Sequence, residues 1–173
     1  MPKMMSPNTR IDWYPENGFA DPENPTIAEL NAGTNISCAI VAGYTLGFTD
    51  SDTNDERSIC DEGNVQTRGF ANFEANLSFF RAPLEATDPD SLVYDAARDI
   101  FKGELHVTGY LVSRQGYKSN VAYAEGQHIS LYKVTSDLYR DISGDPGSSI
   151  QFEVPFLQQG TAIANYEIPV AIP

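Results

Sequence analysis

The stretch Ala71-Asn72-Phe73-Glu74-Ala75-Asn76-Leu77-Ser78-Phe79-Phe80-Arg81 carries the clearest structural signal in the chain. Its odd positions Ala71, Phe73, Ala75, Leu77 and Phe79 are apolar, and its even positions Asn72, Glu74, Asn76 and Ser78 are polar. Side chains along a strand point alternately to opposite faces, so one face here is buried and the other meets water or a polar cavity. The spacing predicts a strand from about Val65 to Arg81.

Upstream, Ile36 to Phe48 reads as a second strand. Ile36, Cys38, Ile40, Ala42, Tyr44, Leu46 and Phe48 form an apolar face, and the intervening residues are mostly small. That gives one bulky face and one close-packing face over a length unusual for a strand. Cys38 is then expected to act as a small apolar core residue. Residues 49–64, between the two strands, read as a polar loop carrying Asp50, Asp52, Asp55, Glu56, Asp61 and Glu62.

Downstream, Asp88 can cap a helix, Pro89 suits its first turn and Gly103 its stop. Leu92, Ala96 and Ile100, with Val93, Ala97 and Phe101, form its apolar stripe. Further strands are expected at 105–114, 128–135 and 150–157. A last one alternates Tyr166, Ile168, Val170 and Ile172, with Pro169 marking it as an edge. Near the start, Thr26-Ile27-Ala28-Glu29 has capping-box spacing for a short helical turn ending at Gly33. Residues 1–25 are rich in proline and lack sustained periodicity, so they read as an extended arm. Trp13, Tyr14 and Phe19 would dock that arm on its own chain or on a neighbour. The expected fold is mainly β: a β-sandwich or small barrel with one flanking α-helix and a long acidic loop. Residues 26–173 would form one domain.

Twenty-four Asp and Glu stand against eleven Lys and Arg, giving a net charge of -13. Binding a phosphate backbone requires neutralising it with cations, so a conventional nucleic-acid binder is disfavoured, and so is an anionic membrane partner. The bland reading of the charge is solubility. The N-terminal residues lack the apolar core of a secretion signal, so the product is expected to stay where it is made. No catalytic constellation appears: there is no nucleophile elbow, phosphate-cradling glycine loop or His-Glu-x-x-His. His106 and His128, each within an expected strand, read as structural. Asp50, Asp52, Asn54 and Asp61 echo the spacing of a calcium-binding EF-hand loop. Asp55, however, replaces its glycine and Asp61 its long carboxylate, so no metal or other cofactor is expected.

Residues 36–81 read ISCAIVAGYTLGFTDSDTNDERSICDEGNVQTRGFANFEANLSFFR. This stretch resembles the major tail tube proteins of siphophages, particularly those infecting actinobacteria. The resemblance lies in the Cys-bearing segment, the Thr-Leu-Gly and Thr-Asp-Ser-Asp after it, the second Cys and the Phe-Phe-Arg strand end. The later helix Ser91–Phe101 and the segment Tyr110-Leu111-Val112-Ser113-Arg114 come in the family's order. The resemblance implies a non-enzymatic virion protein whose hexameric rings stack into a tube, with strands shared around a channel and a long loop bridging rings. It implies partners too: further copies of the chain, the tape-measure protein, and tail-tip and tail-terminator proteins. It also implies assembly in the host cytoplasm and residence in the virion tail, with DNA crossing the lumen unbound. On this reading Asn72, Glu74, Asn76 and Ser78 line the channel, and the acids between Asp50 and Glu62 form the inter-ring loop. The alternative is a β-sandwich binding module, such as a capsid decoration or carbohydrate-binding protein.

Overall fold

The computed structural model describes residues 9–55, 59–60, 63, 66–82, 93–103, 106–145 and 147–170. In chain order the elements are β1 (Thr9–Pro15), α1 (Ile27–Asn31), β2 (Thr34–Asn35), a 3-10 turn (Ser37–Ala39), β3 (Thr45–Phe48), β4 (Thr53–Asp55) and β5 (Gln66–Arg68). Next come β6 (Phe73–Phe80), α2 (Asp95–Phe101), β7 (Thr108–Gln115), β8 (His128–Ser136), β9 (Arg140–Ile142) and β10 (Gln151–Glu167). The fold is mainly β, as expected, and among the described residues its two helices are the short turn expected after Thr26 and the flanking helix. Eight strands make one antiparallel sheet in the order β2-β1-β7-β8-β10-β6-β3, with β9 also paired to β10.

The alternation of residues 71–81 is realised in β6: Ala75, Leu77 and Phe79 are buried, Glu74 is exposed, and Asn76 and Ser78 are half-buried. The long strand β10 joins the two halves of the sheet. Gln151–Phe156 pairs with β6, and the run from Phe156 to Glu167 pairs with β8. Register shifts after Gln158 and after Ile163, and the positive φ of Gly160, bend it between these partners. The sheet curls as a result. Trp13 on β1 lies 6.3 Å from Phe156 on β10, although β7 and β8 separate the two strands in the pairing order. Inside the curl Trp13 also meets Phe101 of α2 edge-on at 5.0 Å, and Phe79 stacks on Phe152. A second apolar cluster covers the opposite face of β1, β7 and β8, where Leu30 of α1 joins Tyr14, Val112 and Leu131.

Several expectations change at this level. Residues 9–15, read as part of an arm, are a strand between β2 and β7 that docks on its own chain. Both faces of β1 are covered: Ile11 and Trp13 enter one core, while Arg10, Asp12 and Tyr14 are buried on the other side, so the short alternation of residues 10–13 does not separate a buried face from a solvent face. Gly109 makes the contact with β7 possible: a Cβ there would lie 2.2 Å from the Tyr14 carbonyl oxygen.

Ile36–Phe48 is not one strand. A 3-10 turn at Ser37–Ala39 replaces the period of two by one near three, so Ile36 and Ala39 turn inward and Cys38 is exposed rather than core. Gly43 and Gly47, both at positive φ, bend the chain between this turn and the end of β3. The expected 65–81 strand divides at Gly69-Phe70 into β5 and β6. The expected loop likewise contains a strand, β4. The separate last strand is instead the continuation of β10, with Ile168 buried just past its end. His106 precedes β7 at φ 67 and His128 begins β8; both are exposed, so neither is a core histidine. The capping box at Thr26 and Glu29 is present as read. The helix-start residues Asp88, Pro89 and Leu92 lie outside the described residues. In α2, Ala97 and Phe101 are buried, whereas Val93 before it is exposed.

Candidate assembly surfaces

The β3–β6 hairpin does not end where its main-sheet pairing ends. Thr49 donates its N–H to Asn72 O and Asp52 donates to Phe70 O, both at 2.9 Å, and the chain then continues into the β4–β5 pair. Arg68 Nε donates to Ser51 Oγ at 3.0 Å across this ribbon. Every residue of β4 and β5 is exposed, and Phe70 at the ribbon base is 85% exposed. Of the six acids assigned to a bridging loop, Asp50 and Asp52 lie at this base and Asp55 ends β4. Glu56, Asp61 and Glu62 lie outside the described residues, as does any further geometry of an EF-hand-like arrangement.

The expected channel residues divide. Glu74, Asn76 and Ser78 share the outer face of β6 and line a groove of about 240 Å³ with Tyr44, Thr45 and Gln151. Asn76 Oδ1 is buried there with no hydrogen-bond partner among the described residues. Asn72 lies apart from them before the strand. Its amide donates to Asp50 O at 2.9 Å and to Asp52 Oδ1 at 3.0 Å, fixing the ribbon base.

Sequence reading missed a buried polar cradle behind the second apolar cluster. Asp12, fully buried, accepts from Arg10 Nε at 2.7 Å and from the Tyr123 hydroxyl. The Tyr123 ring carries the Arg10 guanidinium at 4.7 Å and the Arg114 guanidinium at 4.8 Å from its centroid. Arg114 is 1% exposed and donates to the carbonyls of Lys118, Val121 and Ala122 and to Gln127 Oε1. Burial, reinforced by the Asp12 charge, raises the Tyr123 phenol far above its ordinary pKa, while burial lowers that of Arg114. Asn31 and Asn35 hold the same loop, through Tyr123 and Ser119. The cradle therefore fixes residues 116–127, which connect β7 to β8, in one conformation. In the sequence its signal is Arg114, two residues after the apolar run Tyr110-Leu111-Val112.

A second groove, of about 590 Å³, opens between the segment 37–46 and the inner ends of β1 and β7. Ile11, Cys38, Ile40, Val41, Tyr44 and Leu46 contribute to its walls. No charged side chain lines it among the described residues.

Comparison with known proteins gives this architecture a family. A chain in the cryo-EM structure of the anti-feeding prophage baseplate, 6-fold symmetrised, shares the fold at 12% identity and a TM-score of 0.52. The match covers 95% of this chain and 97% of that one. A chain in the cryo-EM structure of an extracellular contractile injection system, PVC sheath/tube terminator in extended state, is similar at 10% identity and a TM-score of 0.49. That match covers 96% of this chain and 99% of the other. Nothing among curated proteins matches. The family profile described as phage tail tube protein matches residues 1–171, and the chain belongs to that family, with a structural role in the tail.

Proposed function

We propose that the protein is the major tail tube subunit of a siphovirus-type phage, closing into hexameric rings that stack as the conduit for genome delivery. The observation that carries this reading is the family match across residues 1–171. Two features of the fold support it. The outer edge of β3, and the edge of β10 facing away from β8 beyond Phe156, pair with no strand among the described residues. Open edges of this kind are satisfied when neighbouring subunits continue the sheet. In addition, the exposed acidic ribbon projects from the sheet and suits a contact between stacked rings. The tape-measure protein would occupy the lumen during assembly, and tail-tip and tail-terminator proteins would cap the tube. The particle would assemble in the host cytoplasm.

The outer face of β6 is our choice for the channel wall. Glu74, Asn76 and Ser78 are small or acidic, and a negative wall repels phosphate, so DNA would slide without being gripped. Glu74→Lys is expected to leave tube formation intact and to slow genome passage, because every subunit would add a cation able to pair with phosphate. Phage ejection kinetics with the variant tail measure this. Unchanged ejection, together with a tube structure carrying Glu74 on its outer surface, would overturn the lumen assignment.

A further inference from the structure

The uncharged groove and the exposed Phe70 belong to one chain and cannot satisfy each other within it. Ile40 pairs with Phe79, and Val41 donates to Ser78 O at 2.8 Å, at the end of β6 away from the ribbon. Phe70 lies beyond the opposite end, past Phe73. Leu46, the groove residue nearest the ribbon, pairs with Ala75, five residues from Phe70, which at about 3.3 Å per residue is roughly 17 Å along the hairpin, beyond the reach of a phenyl side chain. Phe70 is a large aromatic left open to water, and the groove is a concave surface walled by Ile11, Ile40, Val41, Tyr44 and Leu46 together with uncharged polar side chains of Thr, Ser and Gln. A volume of about 590 Å³ is ample for a phenyl ring with its flanking backbone.

Charge narrows the choice of occupant. Each copy carries -13, so two copies repel wherever acidic surfaces meet, and a contact between them needs an uncharged core. The groove supplies one in a chain that is 20% charged overall. The two surfaces, one projecting and one concave, lie at separate places on the same chain. Such a pair makes a heterologous, head-to-tail contact, the kind that propagates into rings or filaments rather than ending at a dimer.

We infer that the groove beside residues 37–46 receives Phe70, at the base of the β4–β5 ribbon, from a second copy of the chain. This rests on the tube reading and gives the ribbon a receptor. Phe70 acts as the anchor, and the exposed Ala42 and Cys38 sit on the rim of its seat.

The test uses full-length protein and two complementary defects. Phe70→Asp removes the anchor and leaves the groove intact; Ala42→Arg blocks the groove and leaves the anchor intact. Both positions are exposed, so each variant is expected to melt like wild type, and Cys38→Arg replaces Ala42→Arg if the latter misfolds. Loss of one interfacial anchor should raise the concentration needed for assembly by about thirtyfold or more in each variant alone. Mixed in equal amounts, the two variants retain one working contact, from the anchor of the groove-blocked subunit to the groove of the other. Sedimentation velocity should then show a discrete species of twice the mass of either variant alone, and no tubes. Normal tube formation by either variant, or folded variants whose mixture gives no doubled species, would overturn the inference. The tube reading fails separately, in a wild-type control that never assembles.

Discussion

Replacing Asp12 with alanine should cost about 3–5 kcal/mol of folding stability, because it leaves buried guanidinium groups without their carboxylate. Asp12 is fully buried in the middle of β1 and accepts from Arg10 at 2.7 Å and from the Tyr123 hydroxyl. Arg10 and Arg114 share the Tyr123 ring, so one carboxylate balances two cations that are both shielded from water. Without it, Arg10 loses its ion pair, Tyr123 loses its acceptor, and the β7–β8 connection loses part of its anchorage. A domain typically has only about 5–15 kcal/mol in total, so the variant should be marginal at physiological temperature. Urea unfolding followed by tryptophan fluorescence measures the loss. Asp12→Asn retains an acceptor of the same shape and should lose less. A loss below about 1 kcal/mol for Asp12→Ala would mean that Arg114, with its four hydrogen bonds to the loop, holds the region without Asp12.

Trp13→Ala should have an effect of similar size, about 3–5 kcal/mol, through the cavity it leaves. Trp13 is 4% exposed and packs edge-on against Phe101 and beside Phe156, so it ties β1, α2 and β10 into one core. The experiment also separates the two readings of the N-terminal residues. If they were an arm docked on a neighbour, truncating Trp13 would leave the isolated subunit as stable as before and weaken only assembly. As a central strand residue it destabilises the monomer itself. Thermal unfolding of dilute, unassembled protein distinguishes these outcomes.

How much of the fold was legible depends on how many faces of each element are buried. β6 has one apolar and one polar face, so Ala75, Leu77 and Phe79 announced themselves by alternation. The first half of β10 did so too, through Phe152, Val154 and Phe156. The capping box at Thr26 and Glu29 was readable because its chemistry is local. β1 was not, because its alternation spans only Arg10 to Trp13 among prolines, and the burial of Arg10 and Asp12 shows only when their distant partners Arg114 and Tyr123 are placed beside them. The segment Ile36–Phe48 misled for a different reason. Its even-numbered apolar residues fit a strand, but the turn at Ser37–Ala39 folds that pattern over, and Gly43 and Gly47 bend the rest. For the candidate surfaces, the sequence identified Glu74, Asn76 and Ser78 as one face. It could not show that Asn72 belongs to the ribbon base, or that a groove forms beside Cys38, since both depend on pairings across the hairpin.

On the proposed reading, copies of this chain build a hollow tube through which DNA passes. Electron microscopy of the purified protein, concentrated and supplied with a tail-tip nucleus, tests it most directly. Hollow tubes of stacked sixfold rings are expected, with Glu74 on the lumen wall and the β4–β5 ribbon reaching a neighbouring copy. A protein that stays monomeric at every concentration with the nucleus present would contradict this reading.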